Sequence, residues 1–186
     1  MAQTLRKGHK LRLSLSNTYF PMVWPAPEAA NVRLDLAHCT LTLPERTGAD
    51  GVLHNLGTPK AAPPLESEMI AKGGFDWQVD RTDQGGARIT VTDDDGTIRI
   101  RENDLTITSK GVETYSVDSA TDHAPKARIT WSHAMSRDDW AVRSETETEV
   151  TSTTTTWEIR ARLRAWEGDT LAYEEEWNES IPRDQV

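Results

Sequence analysis

Two neighbouring segments of this chain carry opposite charges at a spacing of two residues, and that pattern leaves little choice of fold. Arg143, Glu145, Glu147 and Glu149 alternate with Val142, Ser144, Thr146, Thr148 and Val150. Glu158, Arg160, Arg162 and Arg164 alternate with Trp157, Ile159, Ala161, Leu163 and Ala165. A period of two is that of a β-strand, whose successive side chains point to opposite faces. Side by side, the acidic outer face of one strand meets the basic outer face of the other, and a slip of one residue would turn every apolar side chain into water. Each exposed pair stabilises by only ~0–1 kcal/mol, so its use is to fix register.

The same alternation extends in both directions. Ala127, Ile129, Trp131, His133 and Met135 share one face before it, and Leu171, Tyr173 and Trp177 share one after the Glu167-Gly168-Asp169 turn. Earlier, Phe75, Trp77 and Val79 lie in phase, as do Ile89 with Val91, Ile98 with Ile100, and Leu105 with Ile107; Val112–Val117 adds a further apolar run. Asp93-Asp94-Asp95-Gly96 lacks the alternating ligands of a calcium loop and is expected to be a hairpin turn. Leu65–Lys72 is the one short helical candidate. Residues 73–186 are therefore expected to form an antiparallel β-meander, a curved sheet or partial barrel.

The first part of the chain reads differently. Leu11, Leu13 and Leu15 alternate with Arg12, Ser14 and Ser16 in an expected strand over Lys10–Ser16, and Val32–Leu36 and Thr40–Leu43 repeat the pattern until Pro44 stops it. Between them Pro21, Pro25 and Pro27 fix φ and remove backbone donors, so the chain leaves the sheet along a stiff path carrying Tyr19, Phe20 and Trp24. Large rings on such a path need covering, which makes these three a candidate interdomain docking surface. Residues 45–72, rich in Gly, Pro, Thr and Ala, are expected to be a linker or long loop. The expected division is 1–44, 45–72 and 73–186, all-β throughout.

Composition narrows function mainly by exclusion. A net charge of −9 argues against nucleic acid, whose phosphates need clustered Lys and Arg. The single Cys39 permits no intramolecular disulfide. No apolar run approaches the ~20 residues of a membrane span, so the chain is expected to be soluble, cytoplasmic and not membrane-bound. There is no Gly-x-Ser-x-Gly nucleophile elbow. His38 and Cys39 are adjacent, and neighbours on a strand face apart, which argues against a dyad. The five histidines show no metal-ligand spacing. No catalytic residue, metal or cofactor is assigned. Trp77, Trp131, Trp157 and Trp177 are candidates for lining an apolar ligand pocket, with core packing as the simpler use. Glu174-Glu175-Glu176 reads as a charged, solvated edge.

Gly8–Pro27 together with Leu41-Thr42-Leu43-Pro44 resembles the C-terminal region of the CocE/NonD family of α/β-hydrolases, related to X-Pro dipeptidyl-peptidases and cocaine esterase (peptidase S15-type). Asp93–Gly96, Val112–Ser116, Trp131-Ser132-His133, Arg137–Trp140, Ala165–Asp169, Trp177 and Ile181–Asp184 match in the same order. Phe20 stands where the family often has Trp. The resemblance implies that residues 1–44 supply terminal strands of a jelly-roll sandwich. It also implies a parent that hydrolyses acyl esters or X-Pro peptides with a Ser-Asp-His triad in an upstream domain, and no residue here matches that triad. Three roles follow. The chain is a non-catalytic β-domain that docks on the hydrolase domain, shapes its cleft or oligomerises; or a small barrel-like module binding an apolar ligand; or a subunit completing a separately encoded hydrolase in trans.

Overall fold

A computed structural model describes residues 3–17, 19–28, 31–45, 57–119 and 125–184. The chain divides into two compact units, Met1–Asn17 with Asn31–Pro64, and Thr18–Ala30 with Leu65–Val186. The second unit is an antiparallel sheet of eight strands, β1 Ser67–Ala71, β2 Gly74–Arg81, β3 Gly85–Ile100, β4 Leu105–Ser119, β5 Lys126–Arg137, β6 Trp140–Ser152, β7 Thr156–Glu167 and β8 Thr170–Pro182. Strands β3 to β8 follow one another as a meander, and β1 and β2 both pair with the free edge of β3. The all-β class holds, and the described residues contain no helix.

Register follows the period-two pattern. Val79, Ile89, Tyr115, Ala127, Val150 and Ile159 form one row across β2 to β7, on the apolar face. On the other face Glu145, Glu147 and Glu149 stand opposite Arg164, Arg162 and Arg160, so the cross-strand charge pairing read from the sequence sets this register. Among the described residues the core is thin: Val91, Ala127 and Pro125 are the buried apolar side chains, while Phe75, Trp77, Tyr173 and Ile181 on the sheet's apolar face remain exposed.

The structure corrects three local expectations. Asp93–Gly96 is not a hairpin turn. β3 runs through it, and Asp95 is an extra residue between the pairs Asp94–Lys110 and Gly96–Ser109, a β-bulge. Gly96 holds φ at +74°, and a Cβ there would sit 2.3 Å from the Ala71 carbonyl oxygen, so only glycine fits. Lys72-Gly73 breaks the outer edge beside this bulge and separates β1 from β2. Leu65–Lys72 is not helical, because Ser67–Ala71 finds a ladder on the second half of β3 and pairing overrides local propensity.

The third correction concerns the first unit. No strand forms over the described residues 3–17 and 31–45, and Leu11, Leu13, Leu15, Leu34, Leu36, Leu41 and Leu43 are exposed. Alternation supplies a strand's faces but not its partner, and without a partner there is no ladder. The division also differs from the expected one. The sheet starts at Ser67, and Thr18–Ala30 belongs to the sheet unit rather than with residues 1–17.

Candidate functional site: a clamped loop and two unlike sheet faces

The aromatic-proline loop packs on the apolar face of its own sheet. The Phe20 ring meets Trp24 edge-on at 5.5 Å and Tyr115 at 6.1 Å, and Trp24 meets Trp157 at 5.1 Å. The Trp24 indole N–H donates to Ser152 Oγ at 2.8 Å. Arg183, only 5% exposed, closes the contact. Its guanidinium donates to Ser152 Oγ and to the Thr153 carbonyl, each at 3.1 Å, and to the Pro25 carbonyl, and lies 4.7 Å above the Trp157 ring. Burial pulls its pKa below that of an ordinary arginine. Of the three proposed docking rings, Phe20 and Trp24 are thus half-buried within the unit, and Tyr19 stays exposed.

The Tyr115 hydroxyl donates to the Glu113 carboxylate at 2.6 Å. Burial, and then the Glu113 carboxylate, push its pKa up to about 12. Sequence reading missed Arg183 and Ser152. Their partners lie 158 and 128 residues away, and no local pattern marks them.

The four candidate tryptophans share the apolar face but do not converge. Trp77 on β2 and Trp177 on β8 end the same row on opposite edges. At ~4.8 Å per strand spacing they lie roughly 29 Å apart along the sheet. Trp131 lies over Gly111, where a Cβ would come within 2.5 Å of the indole, and stacks on His133 at 5.5 Å. Trp157 is occupied by Trp24 and Arg183. A recess of about 240 Å³ among Lys110, Ser132, Glu145 and Arg164 includes Trp131 in its lining, and another of about 380 Å³ among Glu147, Arg160 and Glu176 includes Trp177, but neither brings two of the four tryptophans together.

The charged face is built in columns of alternating sign. Lys126 and Arg128 on β5 bind Glu149 at 2.5 Å and Glu147 at 2.8 Å on β6. Arg164 on β7 binds Glu145 at 3.0 Å. Arg162 bonds both Glu174 and Glu176 on β8, the latter at 3.2 Å. The hydrogen bond from Arg128 holds the Glu147 carboxyl below the usual carboxylate range. Each column neutralises its neighbour, and β8 is the last.

His38 Nδ1 lies 2.8 Å from the Asp35 carboxylate, both well exposed, in a turn that also bends the chain before exposed Cys39. The expectation of a strand at Cys39 therefore fails. Among the described residues no three His, Cys, Asp or Glu side chains converge to hold a metal ion. The run Thr151–Thr156 makes the β6–β7 hairpin, where Thr153 Oγ accepts from the Thr155 and Thr156 amides at 3.1 and 3.0 Å. No helix among the described residues is long and apolar enough to cross a membrane. Comparison with protein-family models, curated proteins and solved structures found no match.

Proposed function

We propose that this chain is a non-catalytic β-module that works by docking on a larger body, the accessory β-domain of a CocE/NonD-type serine hydrolase. The observation that carries the reading is the set of strand-patterned leucines, from Leu11 to Leu43, that remain exposed and unpaired. Regularly spaced leucines in water are costly, at roughly 25 cal/mol per Å² of apolar surface, and that cost is relieved when another surface covers them. The sheet adds a second exposed apolar surface through Phe75, Trp77 and Tyr173. In this role the module contributes shape and contact area beside a cleft, or joins copies of the enzyme, whether the hydrolase domain is in the same polypeptide or supplied in trans. The substrates belong to the parent: acyl esters or X-Pro peptides.

The test is turnover of p-nitrophenyl esters and X-Pro amides by the purified chain, alongside labelling with a fluorophosphonate. The expected result is no turnover and no label. Serine-dependent labelling that tracks activity would overturn the reading.

A further inference from the structure

The free edge of β8 is the longest unpaired backbone surface in the sheet. β8 runs for 13 residues, pairs with β7 alone among the described strands, and is exposed along its whole length. A strand edge presents a row of unpaired N–H and C=O groups, a ready template for another strand. The opposite edge is broken between β1 and β2, so β8 is the uninterrupted one.

The side chains of β8 specify what can pair there. Glu174 and Glu176 stand opposite Arg164 and Arg162 on the charged face, while Tyr173 and Trp177 stand opposite Ala165 and Ala161 on the apolar face. The columns run basic on β5, acidic on β6, basic on β7 and acidic on β8, and there the alternation meets solvent. The next strand that continues it carries Lys or Arg at alternate positions on the charged face. On the other face Tyr173, Trp177 and Ile181, 48%, 37% and 46% exposed, alternate with Glu175 and Glu179, so the guest there places apolar side chains over the rings with further Lys or Arg between them. A second β8 does not fit. The strand has four Glu and no Lys or Arg, so pairing with itself sets acid against acid. The same charges that blunt self-association select a basic guest.

We propose that the β8 edge binds, by strand addition, an extended segment of a partner protein that alternates Lys or Arg with apolar residues. The backbone ladder supplies affinity, and the glutamates with Tyr173 and Trp177 supply sequence preference. This surface is distinct from the leucines of the first unit, and the proposal stands whether or not the chain serves a hydrolase.

The experiment uses the full 186-residue chain and three short synthetic peptides. One alternates Lys with Val, one has the same composition with the lysines blocked together, and one alternates Glu with Val. Calorimetry measures affinity, and hydrogen–deuterium exchange locates the bound peptide. Expected are saturable binding of the alternating basic peptide alone and new amide protection confined to Thr170–Pro182. Glu174→Lys with Glu176→Lys should weaken that binding by roughly tenfold, as reversal of two cross-strand pairs implies. Equal binding of the blocked peptide, protection elsewhere on the sheet, or no saturable binding would overturn the proposal. If the double variant does not fold, the wild-type exchange map and the peptide comparison still decide.

Discussion

Arg183→Ala should release the aromatic-proline loop from the sheet without melting the sheet. The guanidinium makes two hydrogen bonds of 3.1 Å and a third to the Pro25 carbonyl, and caps Trp157 at 4.7 Å. Hydrogen bonds from a charged donor contribute ~1.5–3 kcal/mol each, and a cation over a ring adds ~0.5–2 kcal/mol. Water entering the truncated site recovers much of this, which leaves a net loss of about 3 kcal/mol. The bond to the Pro25 carbonyl holds the loop, whereas the bonds to Ser152 and Thr153 tie the end of β8 to the β6–β7 turn, so about half of the loss falls on the loop. A loss of about 1.5 kcal/mol on the loop raises the population of its detached state roughly tenfold.

The assay is chymotrypsin cleavage after Tyr19 under native conditions, since Pro21 and Pro25 block cleavage after Phe20 and Trp24; the cleavage rate follows the open population. Cleavage in the loop should accelerate by about one order of magnitude while the strands stay resistant, and tryptophan emission should shift to the red as Trp24 and Trp157 meet water. Arg183→Lys keeps the charge but loses the planar fork, and should fall between the two. Loop cleavage at the wild-type rate in the alanine variant would refute the reasoning, since the clamp would then carry no free energy.

Gly96→Ala should cost about 2 kcal/mol or more, because the added Cβ lies 2.3 Å from the Ala71 carbonyl oxygen at a φ of +74°; urea denaturation measures the cost, and hydrogen exchange should show Ser67–Ala71 losing protection first. The raised Tyr115 pKa favours the folded state fully below the ordinary tyrosine value of 10.0, and that contribution disappears as pH rises toward about 12. Ultraviolet titration should therefore show two late-ionising tyrosines, Tyr115 and Tyr173, and only one in Tyr115→Phe. The lowered pKa of Glu147 works in the opposite direction. Its contribution is complete above the ordinary 4.5 and is lost as pH falls through the lower folded value. A double-mutant cycle of Glu147→Gln with Arg128→Gln should give under ~1 kcal/mol at neutral pH, and nothing in strong acid.

The residues that gave correct readings and those that misled differ in what their patterns encode. Glu145–Glu149 against Arg160–Arg164 specified both neighbours of a pair, so strand identity and register were legible together. Leu11–Leu15 specified only one side of a pair, and its strand is not formed. Asp93–Gly96 has the composition of a turn, but the same Asp-Gly chemistry also serves a bulge. The choice between them rests on whether the flanking segments pair with each other or with a common partner, here β4. Of the clustered Tyr19, Phe20 and Trp24, Phe20 and Trp24 are covered by Tyr115, Trp157 and Ser152 while Tyr19 is exposed, and the identity of that cover was out of reach of any local signal.

The sequence by itself determined the β-class, the two faces of each strand and the charge code that orders β5 to β8, because alternation and sign are properties of consecutive residues. Only the tertiary structure decided that Arg183, Ser152 and Trp157 bind the proline loop and that β3 continues through its bulge. It also decided that the acidic column of β8 is left as an open edge. Each of these depends on which distant segment arrives as a neighbour, and that is a property of the folded chain as a whole.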